Sequence, residues 1–189
     1  GRGLDLDVVL DLVRSTLDRS PVPVLGIGIG TPGLVDREGT VRTAPNLGWT
    51  DVPLRRLVSE ATGLPVLVIN DSDAATQAEL SASPGSEDMV LVHVSRGVGC
   101  GIVTGGRRVA GAHHAAGEIG HVTVGTDGGE DCPCGKRGCL ETWLSIPRLR
   151  AALDPPDGSE VVQAGGERLG VALAPIVAAL DLSEVGWQK

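Results

Sequence analysis

Strands and helices alternate along this 189-residue chain, and that alternation predicts an α/β fold. Three observations carry the prediction. Residues 65–69 form a continuous apolar run, suited to a buried central strand, and pass directly into a helix at Asn70-Asp71. Helical periodicity lies on both sides of that strand, over residues 4–18 and from about residue 160 to 180. Between them sits an insertion in which ten residues separate His121 from Cys132-Pro-Cys134 and four more separate Cys134 from Cys139.

Each element follows from local pattern. Leu6, Val9, Leu10, Val13 and Leu17 recur at helical spacing, while Asp5, Asp7, Asp11, Arg14 and Asp18 take the other faces. Pro21 and Pro23 end that helix. Residues 24–30 alternate Gly and Ile as a strand, Thr31-Pro32-Gly33 turns, and 34–36 pair with 40–42 as a hairpin around Glu38-Gly39. A short helix is expected over 51–61, with Pro53 in its first turn and Gly63 after its end. The helix after Asn70-Asp71 extends from Ser72 to about Ser81, and Pro84-Gly85-Ser86 is a loop. Residues 89–95 and 101–104 read as strands, the second turning at Gly105-Gly106 into 107–110. Further helices are expected over 140–144, over 146–153 after a break near Pro147, and over the final stretch beyond an interruption at 154–158.

Composition narrows the function. Hydrophobic residues make up 41% with no Phe or Tyr, so the core must be aliphatic. A net charge of −8 argues against this segment being the surface that meets nucleic acid. No run of eighteen apolar residues and no cationic leader pattern is present, so neither a membrane span nor a signal peptide is expected. Thiols spaced for metal rather than for pairing suit a reducing cytoplasm.

Three thiolates and one imidazole match the closed tetrahedral set that structural zinc favours, which nominates His121, Cys132, Cys134 and Cys139 as ligands. Gly128, Gly129, Gly135 and Gly138 permit the tight turns that aim short side chains at one point. The alternative is three buried or disulfide-paired cysteines beside an unrelated histidine; an odd number of cysteines and the clustered spacing favour metal. Cys100 falls outside the spacing and reads as a small core residue. Adjacent His113 and His114 read as rim or surface residues without an assigned role.

The run GEIGH (residues 117–121) followed by CPCGKRGCLE (132–141) resembles the ROK family of sugar kinases and sugar-responsive repressors. GIGIGTPGLVD (26–36), APNLGW (44–49), DVPL (51–54), LPVLVINDSDAA (64–75) and GVGCGIVTGGRRVAGAHHAAGEIGH (97–121) follow in the family's order, so the resemblance spans about residues 25 to 145. It implies an actin-like, ribonuclease-H-like fold of two lobes, with residues 1–75 in the N-terminal lobe and 76–189, including the zinc loop 121–139, in the C-terminal one. The family's opening Asp-x-Gly-Gly-Thr phosphate hairpin and its later adenosine-side glycine segment have no counterpart in this sequence, so the chain is expected to be a fragment, incomplete at both ends.

The same resemblance implies roles for particular residues. Asp71 stands where the kinases keep their catalytic base, a carboxylate that orients a sugar hydroxyl for attack on a γ-phosphate. Asn70, Glu118, His121 and Glu141 match sugar-contacting positions, and Gly33 and Asn46 match positions lining the same pocket. Read without the family, Asn70-Asp71 after a strand is a helix cap, and Glu118 and Glu141 are solvated or capping carboxylates. Where the kinases carry Gly-Thr-Gly, this chain has Ser95-Arg96-Gly97, a poorer cradle for phosphate, and Asp73 adds a carboxylate nearby.

The expected function is therefore the effector part of a ROK-type transcriptional regulator. It would bind a monosaccharide or its derivative, change lobe closure, and act on DNA through a region outside this chain, as a dimer or tetramer. The rival expectation is a glucokinase-like hexose kinase using Mg-ATP. A zinc-stabilised sugar-binding domain with neither activity is the third.

Overall fold

The computed structural model describes residues 4–83, 85–125, 129–153 and 158–188, with the side chains of 152, 153 and 188 left aside. The expected loop residue Pro84, the glycine Gly128 and the interruption at 154–157 lie outside the described residues. The chain divides into two compact units: Gly1–Ala74 with Ala112–His114, and Ala75–Gly111 with Ala115–Lys189.

The first unit opens with α1 (Leu6–Asp18), capped by the Asp5 carboxylate, which accepts the Asp7 N–H at 3.1 Å. β1 (Ile27–Thr31) pairs in parallel with β5 (Val66–Asn70). A meander of β2 (Leu34–Val35), β3 (Val41–Ala44) and β4 (Trp49–Val52) forms a separate antiparallel sheet. α2 (Leu54–Thr62) then leads into β5. Val35, Val41, Trp49, Leu54, Val58 and Val68 form the core, and Leu6, Val9, Leu10 and Val13 of α1 pack on its edge. The indole of Trp49 donates to the Leu4 carbonyl at 2.7 Å, which ties down the chain before α1.

Three expectations are corrected in this unit. The strand predicted over 24–30 starts at Ile27. The helix expected from residue 51 starts at Leu54: Asp51 ends up in β4, because Thr50 and Trp49 pair with Thr43 and Ala44, and Pro53 caps α2 from outside its first turn. β5 is not a fully buried central strand. Leu67 is 62% exposed, because β1 is the only strand paired with β5 among the described residues, and Val68 meets the core from the other face.

α3 (Asp71–Ala82) carries the chain into the second unit. There a mixed sheet runs in the order β8-β7-β6-β9, built from β6 (Met89–Val94), β7 (Val98–Thr104), β8 (Arg107–Arg108) and β9 (Glu184–Gln188). β9, which has no helical or alternating signature in the sequence, lies parallel to β6. α4 (Glu141–Leu144), α5 (Ile146–Leu153) and α6 (Gly158–Leu180) cover one face. The break falls at Ser145, whose ψ of 150° ends α4, and Pro147 sits in the first turn of α5, where its missing N–H costs nothing.

The main core joins Val90, Val92, Val94, Val98, Cys100, Ile102, Ile119, Leu140, Leu144, Ala172 and Leu173. On the opposite face Ala75, Met89, Leu91 and Val103 form a second cluster. Gly101 has no Cβ because Thr76 of α3, fully buried, occupies that space. α6 has 23 residues and contains an 18-residue window of mean hydropathy 1.2, long and apolar enough to cross a membrane. It packs one face into this core instead, through Leu169, Ala172, Leu173 and Ile176.

Candidate functional site

The metal-ligand expectation is a statement about geometry, and the second unit contains that geometry. One ligand atom from each of His121, Cys132, Cys134 and Cys139 lies within 4.8 Å of all the others. His121 Nδ1 stands 3.6 Å from Cys132 Sγ, and Cys134 Sγ 3.7 Å from Cys139 Sγ. A tetrahedral ion with Zn–S near 2.3 Å and Zn–N near 2.0 Å sets such edges at about 3.6 and 3.8 Å.

The chain holds these groups from two directions. His121 ends a short 3-10 turn (Ile119–His121) that follows Glu118. The three cysteines sit in a knuckle closed by Cys132 N–H to Lys136 C=O at 2.8 Å and by the bridge between Asp131 and Arg137. Thr123 pairs with Cys139, and Leu140 N–H donates to Val122 C=O at 2.9 Å, joining the knuckle to the histidine turn.

Burial first, and then the neighbouring cysteine sulfurs, push the Cys139 thiol up to about 12. Burial also raises Cys132. Cys134, which is exposed, is lowered by the Lys136 backbone N–H. Crowded sulfurs that resist ionising when alone become thiolates when a dication supplies the compensating charge.

Glu141 lies two residues beyond Cys139, in the first turn of α4. Its Oε2 accepts the Val98 N–H at 3.3 Å, and a Cβ at Gly97 would stand 2.6 Å from the same oxygen. Several backbone groups of the turn between β6 and β7 are thus held from within the chain. Ser95 N–H donates to Gly97 C=O at 2.8 Å, and Ser95 C=O accepts from Ile146 N–H at 2.8 Å. Arg96 is exposed at its apex.

Asn70, Asp71 and Gly33 come together in the first unit. Asn70 Oδ1 accepts the N–H groups of Ser72 at 2.8 Å and Asp73 at 3.1 Å, so it caps α3, while Nδ2 donates to Gly33 C=O at 2.8 Å. Asp71 is half-buried, with Oδ1 accepting the Ser72 N–H at 2.9 Å. Gly33 has φ +90°, and a Cβ there would run into Thr43 and Ala44. Asn46 is exposed in a 3-10 turn (Pro45–Leu47). Glu118, His121 and Glu141 all belong to the second unit.

Two contacts had no signature in the sequence. The Glu141–Val98 hydrogen bond spans 43 residues. Arg168 stacks 3.6 Å above the ring of Trp143, and neither Arg168 Nε nor Trp143 Nε1, both buried, has a hydrogen-bond partner among the described residues.

Known proteins resemble this chain along most of its length. The ROK family model matches residues 6–161. A glucokinase of Halalkalibacterium halodurans is 43% identical over 139 residues, covering 72% of this chain and 42% of the relative. A xylose repressor of Caldicellulosiruptor bescii is 37% identical over 154 residues, covering 78% and 38%. The chain thus spans less than half the length of these curated relatives.

Among solved structures, a ROK family transcriptional regulator, a homologue of the E. coli Mlc protein, superposes with a TM-score of 0.81 at 29% identity, covering 98% of this chain and 56% of the other. A ROK family glucokinase from Streptomyces griseus, in complex with glucose and AMPPNP, does so at 0.82 and 27%, covering 96% and 72%.

Proposed function

We propose, for a chain that belongs to the ROK family and has its actin-like α/β fold, that it is the sugar-binding effector portion of a transcriptional regulator. Relatives of both kinds, kinase and repressor, resemble it. The observation that carries the regulator reading is the state of the β6–β7 turn. A phosphate cradle offers free backbone N–H groups and small side chains. Here Ser95 N–H is spent on Gly97, Val98 N–H on the Glu141 carboxylate, and Arg96 stands where a small residue would serve.

On this reading Asn70, Asp71, Glu118, His121 and Glu141 supply the groups that meet sugar hydroxyls, and Gly33 and Asn46 belong to the same proposed set. Carboxylate, amide and imidazole together offer the donors and acceptors a pyranose needs. Zinc is the metal proposed for the Cys3His cluster, in a structural role. With Nδ1 of His121 turned to the cluster, Nε2 is the ring nitrogen left for a ligand, which couples sugar geometry to metal occupancy. Contact with DNA through sequence outside this chain, assembly as a dimer or tetramer, and a cytoplasmic setting complete the proposal.

A second reading, Mg-ATP-dependent hexose phosphorylation, is favoured by one feature: Asp71 places a half-buried carboxylate at the start of α3, directly after a parallel strand. There it would accept the proton of the attacking hydroxyl.

The deciding experiment combines a thermal-shift panel of monosaccharides, xylose and glucose included, with coupled ADP release under Mg-ATP. Stabilisation by one sugar without turnover is the expected result. Turnover abolished by Asp71→Asn replaces the regulator with the kinase, and a panel in which no sugar raises Tm overturns both.

A further inference from the structure

The three sulfurs of the cluster are not equivalent. Cys132 and Cys139 are buried, whereas Cys134 is exposed. An oxidant from solvent therefore meets Cys134 first, and the Cys139 sulfur stands 3.7 Å behind it.

Closing that gap to the disulfide length of about 2.05 Å requires little of the backbone. Gly135, at φ +88° with nothing within 4 Å of its missing Cβ, can yield between the two cysteines. Two other pairings lie within 4.8 Å: Cys132 with Cys134 would close a three-residue ring through Pro133, whose φ is fixed, and Cys132 with Cys139 would join the two buried sulfurs, which an oxidant from solvent does not meet first.

We propose that Cys134 and Cys139 form a hydroperoxide-sensitive thiolate pair, whose oxidation releases the metal and loosens the sugar-contacting residues it supports. The inference rests on the metal reading of the cluster. The Cys134 thiolate attacks the peroxide O–O bond, gaining one oxygen as sulfenic acid while hydroxide departs. The Cys139 thiolate then attacks that sulfur; an S–S bond forms, the S–O bond breaks and a second hydroxide leaves. Two thiolates are oxidised and one hydroperoxide is reduced.

Only His121 and Cys132 remain as ligands, too few to hold a structural ion. The movement of Cys139 passes to Glu141 two residues on, and through it to the Val98 N–H that Glu141 holds. Cys100 is buried in the sheet core and takes no part.

The test uses the intact, zinc-loaded chain, with metal content measured before hydrogen peroxide is added in the presence of a colorimetric chelator. The expected result is one zinc released for each pair of thiols lost, a Cys134–Cys139 linkage in the peptide map, Cys100 still reduced, and recovery with dithiothreitol and zinc. Cys134→Asp, which keeps a ligating group without a thiol, should release zinc about tenfold more slowly. If that variant does not hold zinc, the wild-type disulfide map decides alone.

Zinc retained with all thiols intact overturns the proposal, as does a map dominated by Cys132–Cys134, Cys132–Cys139 or Cys100. Release from Cys134→Asp at the wild-type rate overturns it too. A protein that contains no zinc from the outset overturns the metal reading along with it. Inert thiols on a zinc-loaded protein defeat the redox proposal alone, since sugar binding is read separately by thermal shift.

Discussion

Asn70 is required by the fold before any ligand is considered. Its oxygen caps α3 and its amide holds the Gly33 carbonyl, so all its polar atoms have work inside the first unit. Loss of the cap costs about 1 kcal/mol, and leaving the Gly33 carbonyl without its donor costs about 1 more. Asn70→Ala should therefore lower stability by about 2 kcal/mol in urea denaturation, and Asn70→Asp, which keeps the capping oxygen, by about half of that. Equal losses for the two variants would show that the capping oxygen contributes nothing. The capping half of this site was legible in sequence, because an Asn after a strand and before a helix has few other uses. The Gly33 half was not, since the partner lies 37 residues away and is a backbone carbonyl that any residue would supply. The same holds for Glu141: its place beside the cluster followed from the Cys139 motif, whereas its bond to Val98 depends on how α4 packs against the sheet.

Elements were legible where the pattern repeated and illegible where pairing decided. α1 and α6 declare themselves through spacing, α3 through the Asn70-Asp71 turn that opens it, and the hairpin of β2 and β3 through its turn. Asp51 and Val52, the end of β4, read as the start of a helix because Pro53 suits a first turn; pairing of β4 with β3 claims them first. β9 had no signal of its own and exists because β6 offers it a parallel edge. Pro175 inside α6 is tolerated on the exposed side, where the Val171 carbonyl it deprives of a donor can turn to water. α4 is the element that joins metal knuckle to core, and Leu140 at its start is fully buried. Leu140→Ala should cost about 2–5 kcal/mol, which corresponds to a Tm lower by about 4–20 °C for a chain of this size. A drop below 2 °C would mean the knuckle packs on the sheet without it.

At the scale of the molecule, each unit has its own aliphatic core. The Cys3His cluster lies wholly in the second, where it joins the histidine turn, the knuckle and α4. Its removal should be felt there and not in the first unit. Cys139→Ser takes away a fully buried ligand and should reduce zinc from about one per chain to near zero. It should lower Tm by about 6–12 °C if the bound ion contributes about 3 kcal/mol. Hydrogen exchange separates this local effect from general unfolding. Amides of residues 119–124, 130–144 and 98–100 should lose protection, while those of β1, β3 and β5 keep theirs, because their hydrogen bonds and their core share no residue with the cluster. Uniform loss across both units would instead make the chain a single cooperative body whose first unit depends on the metal. Unchanged exchange everywhere, in a variant shown to lack zinc, would reduce the cluster to an ornament of the loop and remove the physical link between metal and sugar contact.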